Sequence, residues 1–193
     1  MSFRSLVALL LVACAPAVLA DVKSDVMAAH DAMVKAAKFR MVGTTTSGGE
    51  THEMWSEVHW PDRFHARSAG GEFIVIPGRT WMKQGGEWMQ MPMDMSALVK
   101  GMTPTAVSDM FANMKNEKDL GEQTLDGRTV RVYEYDTSTS VMGIRAESHV
   151  KLWIDPATNL IVKQEVDGSA AGHTSKTVQT YEYDDAISID PPM

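Results

Sequence analysis

Residues 50–91 read ETHEMWSEVHWPDRFHARSAGGEFIVIPGRTWMKQGGEWMQM, and this stretch decides the fold. Met54, Ser56, Val58 and Trp60 share one face of an extended strand, and Trp55, Glu57 and His59 share the other. Pro61-Asp62, Gly70-Gly71, Pro77-Gly78 and Gly85-Gly86 interrupt the alternation at short intervals and read as turns. The segments between them, residues 63–67, 72–76, 79–83 and 87–91, are too short for helices. With a strand that runs from Phe39 to the turn Ser47-Gly48-Gly49, they make six short strands of an antiparallel meander.

Working outward, residues 21–38 have the other periodicity. Val22, Val26, Ala29, Met33 and Ala37 recur every three to four residues, which predicts a helix with Ser24 as N-cap and Asp25 in the first turn. Downstream, Pro92 ends the meander. Residues 96–101 and 105–113 read as two short helices, the second opened by Pro104. Period-two patterning returns at 115–123, 128–135, 144–154, 160–166 and 174–183. Tyr-Glu-Tyr-Asp occurs at residues 133–136 and again at 181–184, and reads as two similar strand ends. The fold class expected is mainly β with an α lid, about 11 strands in a single domain over residues 21–193. A sheet of that width must curl to bury one face, and the helical pieces are its natural cover.

Residues 1–20 read as a secretory signal. Arg4 precedes an apolar run, and Val18-Leu19-Ala20 fits a cleavage site that would leave Asp21 as the mature start. Leu11-Val12-Ala13-Cys14 also fits a lipobox, in which Cys14 would be lipidated and tether the protein to a membrane. Either way an exported, periplasmic location is expected.

Composition sets further bounds. The 193 residues are 44% hydrophobic and 22% charged, with a formal net charge of −7. That mix is globular, and the acidic balance argues against nucleic acid as a partner. A single cysteine excludes an internal disulfide framework and any multi-cysteine metal site. Methionine is in excess, at 15 residues, with eight of them between positions 82 and 114.

Three stretches carry a family resemblance. Residues 58–64, Val-His-Trp-Pro-Asp-Arg-Phe, are similar to a strand, P-x-R-F turn and strand. Residues 78–88 resemble a hairpin that ends in tryptophan, and residues 152–160, Leu-Trp-Ile-Asp-Pro-Ala-Thr-Asn-Leu, resemble a W-I-D-P-x-T-x-L hairpin. Together with the element order they resemble the bacterial LolA/LolB-like lipoprotein-carrier superfamily, mycobacterial lipid-carrier lipoproteins included. The resemblance implies an unclosed, half-open β-barrel with a helical lid over a hydrophobic cavity that holds acyl chains.

Candidate site residues follow from parity and from the methionine cluster. Met41, Met54, Val58, Trp60, Phe64, Met89, Met91, Leu98, Met102, Met110 and Phe111 are expected to line the cavity. Met89, Met91, Met93 and Met95 have two functional readings. Unbranched, polarizable thioethers adapt to acyl chains, and they are also soft ligands for Cu(I). Core filling is the third reading. His52, His59 and His65 lie close in sequence, but a metal site among them lacks a third ligand on one face. No nucleophile elbow, His-Glu-x-x-His pair or phosphate-binding loop is present.

The expected function is therefore a non-enzymatic carrier without cofactor. It would bind acyl chains of a lipid or lipoprotein and move them toward the outer membrane. The alternatives are an envelope lipid- or stress-sensing module of the same fold, partnered by a membrane protein, and a Cu(I)-handling protein.

Overall fold

The computed structural model describes residues 21–92, 95, 111–141 and 144–192. Helix α1 (Val22–Ala36) is followed by β1 (Lys38–Ser47), β2 (Glu50–His59), β3 (Arg63–Ser68), β4 (Gly71–Ile76), β5 (Arg79–Gln84) and β6 (Glu87–Met91). After the segment at 92–114 come β7 (Lys115–Leu125), β8 (Arg128–Val141), β9 (Ile144–Asp155), β10 (Leu160–Ala170) and β11 (His173–Tyr183). The short helices expected at 96–101 and 105–113 fall outside the described residues except at their last positions, where Phe111 and Ala112 are helical. Residues 1–20, where a secretory signal is expected, lie outside them with Cys14.

α1 starts earlier than the Ser24 cap predicts. Asp21 is the N-cap, in extended backbone, and its carbonyl accepts the Asp25 N–H at 2.9 Å. At the other end Ala37 turns left-handed, its N–H bonds back to the Met33 and Val34 carbonyls, and the chain leaves at once into β1. No helix among the described residues is long and apolar enough to cross a membrane.

The strands form one antiparallel sheet in the order β6-β5-β4-β3-β2-β1-β11-β10-β9-β8-β7. The first and last strands pair at its centre, with Phe39 opposite both Tyr183 and Val58. The outer strands β6 and β7 do not meet, so the sheet is curled but unclosed. β8 and β10 run further than periodicity predicted. Their distal halves (Thr137-Ser138-Thr139, Gly168-Ser169) have no hydrophobic period to read, yet the ladder with neighbouring strands continues through them.

Gly43 in β1 marks a close approach of β1 to β11. It lies opposite Gln179 and Met54, and a Cβ there would run into the Val178 carbonyl oxygen of the β11 backbone. Glycine at such a point lets neighbouring backbones approach.

Both faces of the sheet bury apolar residues. The concave face meets α1. On the convex side, Ile74, Ile76 and Trp81 are covered by Ile187 and Ile189 from the C-terminal tail. Arg63 fixes that tail: Nη1 donates to the Ile189 carbonyl at 2.6 Å, and Asp190 lies 3.6 Å away. A second convex cluster joins Val130, Val132 and Trp153, and the ammonium groups of Lys151 and Lys163 lie over the Trp153 ring.

Three stability predictions follow from these contacts. Gly43→Ala forces a side chain into backbone and should cost about 2–3 kcal/mol in urea unfolding, against a small effect for Gly70→Ala, where the added Cβ would meet only the Ser68 hydroxyl at 3.6 Å. Replacing Ile187 and Ile189 together by alanine should cost about 4 kcal/mol and raise binding of a hydrophobic dye, because it uncovers the convex patch. The third concerns His30 on α1, whose ring meets Phe111 edge-on at 5.0 Å. Burial pushes its pKa down to about 4, opposed by the charge of Asp31. A depressed pKa means that the unfolded chain binds the proton more tightly. The resulting stability is fully present above about pH 6.5 and is lost as pH falls toward 4. His30→Gln should therefore remove on the order of 2 kcal/mol of the stability difference between about pH 7 and pH 4.5, measured by urea unfolding of both proteins.

Candidate functional site

The inward rows of the strands converge beneath α1. Two apolar clusters meet there. One joins Val22, Val26 and Ala29 of α1 with Tyr133, Tyr135, Val150, Leu152, Ile154, Ile161, Phe111 and Met114. The other joins Phe39, Val58, Trp60 and Val75 with Met41, Phe64, Met95 and the C-terminal turn of α1. Met33 and Tyr181 pack against both, so the lining is continuous from β4 to β9.

All four tyrosines sit on this inward surface. Tyr133, Tyr135, Tyr181 and Tyr183 come from the two Tyr-Glu-Tyr-Asp segments, of which the first lies within β8 and only the second ends a strand. The alternation explains the coincidence: both tyrosines of each pair point inward and the glutamate points out. Tyr133 donates to Asp25 Oδ2 at 2.6 Å, which ties α1 to β8. Tyr183 donates to the Ile161 carbonyl at 2.9 Å. The Tyr181 hydroxyl donates to Gln164 Oε1 at 2.7 Å and accepts from the Gln179 amide. Burial raises the pKa of all four phenols, so they remain neutral hydrogen-bonding groups at any ordinary pH.

Along β1, β8, β9 and β11 the lining changes from apolar to hydroxylic. In β9, Leu152 and Val150 give way to Ser148. In β8, Tyr133 and Tyr135 give way to Thr137. In β11, Tyr181 is followed outward by Gln179, Thr177 and Ser175, and in β1 Met41 is followed by Gly43, Thr45 and Ser47. At that distal end lies an open cavity of about 770 Å³, lined by Ser47, Thr137, Ser148, Gly168, Ser175 and the Gly48-Gly49 turn. Charged groups around it pair with one another: Arg145 with Glu147 at 2.9 Å, His149 with Asp136 at 2.7 Å, Lys176 with Asp167 at 3.8 Å. Hydrogen bonds from Asn116 and His149 hold the Asp136 carboxyl below the usual carboxylate range. Among the described residues no three His, Cys, Asp or Glu come together as metal ligands.

The residues predicted from sequence fall into several places. Met41, Val58, Trp60 and Phe64 meet in one cluster. Met54 stands on the same face further along β2, with the Thr45 hydroxyl 3.4 Å from its sulfur. Met89 and Met91 lie on the inward row of the edge strand β6, opposite Met82 and Thr80, and Met89 remains 46% exposed. Phe111 belongs to the other cluster. Leu98, Met102, Met110 and Met93 lie outside the described residues. Met95 packs into the apolar cluster, and its N–H donates to the buried Thr80 hydroxyl at 3.0 Å. The thioether run is thus divided, with Met89 at an exposed edge and Met95 in hydrocarbon. Trp55, Trp81 and Trp88 occupy the convex face. His65 is also there, hydrogen-bonded to Glu72 at 3.0 Å rather than to His59.

Sequence reading missed the right half of the lining: Tyr133, Tyr135, Gln164, Val150, Leu152 and Tyr181. The signal was present in the period-two alternation of β8 and β9. The distal hydroxyl cavity carried no comparable signal, because serine and threonine alternate with other polar residues.

No family model and no curated protein sequence matches the chain. Solved structures do. The lipoprotein LppX of Mycobacterium tuberculosis superposes with a TM-score of 0.60 at 11% identity, covering 88% of this chain and 98% of that one. LprF of Mycobacterium bovis gives a TM-score of 0.56 at 12% identity, covering 88% and 97%. The unclosed 11-stranded sheet over which α1 lies is thus a fold that this chain shares with mycobacterial LppX and LprF.

Proposed function

We propose that the protein is a non-enzymatic carrier of the bacterial envelope that binds acyl chains of a lipid or lipoprotein along the concave face of its sheet. One observation carries the reading: a continuous apolar lining under α1 grades, along the strands, into an open polar cavity in which hydroxyls stand beside charged side chains. That gradient is the mirror image of an amphiphile. Hydrocarbon would lie between α1 and the rows that contain Met41, Val58, Val150 and Leu152, and the polar head would face Ser47, Thr137, Ser148 and Ser175. The driving force is burial of methylenes, at about 0.8 kcal/mol each, so a long chain binds without a charged anchor. The fold shared with the lipoprotein LppX agrees with an envelope role. Export by residues 1–20 would place the protein in the periplasm, free if cut after Ala20 or tethered if lipidated at Cys14. From there it would hand its cargo toward the outer membrane.

The cover over the lining is suited to displacement. The residues α1 buries are small: Val22, Val26 and Ala29. Among the described residues its one long-range polar tie in this surface is the Asp25–Tyr133 hydrogen bond, which exchanges readily for water.

Binding of a fluorescent polyunsaturated fatty acid, followed by displacement with unlabelled lipids, tests the proposal. Wild-type protein should bind the probe at micromolar concentration or below. Met41→Asp places a charge on the inward row and should weaken binding at least tenfold. Val42→Asp, one residue on and outward, should leave it unchanged. Equal behaviour of the two variants, or no probe binding by the wild type, would refute the carrier reading. The mass of the secreted protein separates a start at Asp21 from a lipidated Cys14.

A further inference from the structure

A polar pair stands in the lining where β10 meets β11. Gln164 and Gln179 lie opposite each other in register, both on inward rows. Leu152 of β9 flanks them on one side and Gly43 of β1 on the other. Three hydrogen bonds tie the pair to Tyr181. The phenol donates to Gln164 Oε1 at 2.7 Å, and the Gln179 amide donates to the same oxygen at 3.2 Å and also to the phenol oxygen. Those bonds use both Gln179 N–H groups and both lone pairs of Gln164 Oε1. The other end of each amide is left over. Gln164 Nε2 and Gln179 Oε1 have no hydrogen-bond partner among the described residues. Neither is enclosed, since the one buried side-chain polar atom without a partner there is Trp60 Nε1. The groove therefore offers one spare donor and one spare acceptor on neighbouring strands.

We propose that Gln164 and Gln179 form a junction site for an N-acyl lipid: Gln164 Nε2 donates to the carbonyl oxygen of the amide that joins chain to head, and Gln179 Oε1 accepts its N–H. This inference rests on the carrier reading above and adds to it the linkage that is recognised.

The position of the pair agrees with the seats of chain and head. On its proximal side β11 and β1 present Tyr181, Met41, Tyr183 and Phe39. On its distal side they present Thr177 and Thr45, then Ser175 and Ser47, which line the open cavity. Four residues of strand carry the row from Gln179 to Ser175, about 13 Å. A chain laid along these two strands has its hydrocarbon over Met41 and Phe39, its junction at the glutamines and its head among the hydroxyls. Junction chemistry then selects the ligand. An ether or an ester brings acceptors only and leaves Gln179 Oε1 unmet. A secondary amide brings one acceptor and one donor, the complement of what the pair has to spare.

Two ligands with the same chain and the same head isolate the linkage: N-palmitoylethanolamine and the ethylene glycol monoester of palmitic acid. Displacement of the fluorescent fatty acid from the wild-type protein should give about fivefold tighter binding of the amide, the size of one hydrogen bond. Partition alone favours the ester, because an amide costs more to take out of water. With nitrogen-15 in the amide ligand, its N–H proton should move downfield on binding and exchange with water more slowly than in detergent micelles. Gln179→Leu removes the acceptor and leaves the Tyr181–Gln164 bond in place. It should lose the amide preference and still bind the ester within about twofold of the wild type. Equal or tighter binding of the ester by the wild type, or an amide preference that survives in Gln179→Leu, overturns the junction site and leaves the carrier reading standing. If neither ligand binds the wild type, both fall. The ligand comparison and the spectrum use unmutated protein, so the outcome does not depend on the variant's folding.

Discussion

Everything in this molecule depends on the pairing of β1 with β11. It joins the first strand of the chain to the last, so the two halves, β2–β6 and β7–β10, become wings of one sheet instead of two sheets. At that joint the two strands come close, and Gly43 leaves the room that the Val178 carbonyl occupies. α1 lies over the concave side. It is connected to β1 by the single left-handed residue Ala37, so its position over the joint follows from chain connectivity as much as from packing.

Curling also divides the chemistry of the chain between two faces. Strand residues alternate in direction, so one sequence writes two surfaces. Outward positions hold paired charges: Arg40 bridges Glu57 and Glu182, Glu72 bridges His65 and Lys83, and Lys163 meets Glu165. Inward positions are apolar near the helix and hydroxylic far from it. The negative charge of the protein is therefore a property of its outside and of the loops. On the concave side, charge stands at the strand ends, at the Asp119–Arg131 pair beside β8 and at Glu50 and Glu87 on the rows of Met54 and Met89.

How much of this was legible in the sequence depended on whether a residue pattern had a period. The turns at Pro61-Asp62, Gly70-Gly71, Pro77-Gly78 and Gly85-Gly86 and the alternation of Met54, Ser56, Val58 and Trp60 give strands, boundaries and facing together. The 11 strands were legible for that reason. Strand order was legible only through resemblance, because nothing local says that Phe39 faces Tyr183, 144 residues away in sequence. The distal halves of β8 and β10 were shortened because Thr-Ser-Thr-Ser has no apolar member to count. The tail carries no periodic signal, because Ile187 and Ile189 form too short a run to mark a strand, yet they seal Ile74, Ile76 and Trp81. Methionine excess drew attention to the edge strand β6, where Met89 is exposed, while four tyrosines supplied more of the lining and raised no compositional flag.

The last of these points bears on what kind of surface the lining is. Methionine would make it soft throughout, adaptable in shape and indifferent to polarity. Tyrosine makes it firm and selectively polar. Three of the four phenols are anchored by hydrogen bonds, Tyr133 to α1, Tyr181 to the Gln164–Gln179 pair and Tyr183 to the Ile161 carbonyl. Those bonds fix the floor of the β8–β11 wing, where α1 rests. The β2–β6 wing has thioethers at Met41, Met54, Met82, Met89 and Met91 and an indole donor left over at Trp60. A sheet with one rigid wing and one deformable wing is asymmetric in a useful way. The rigid wing holds the helix in place when the groove is empty. On the carrier reading, the thioether wing is where a chain would enter at least cost.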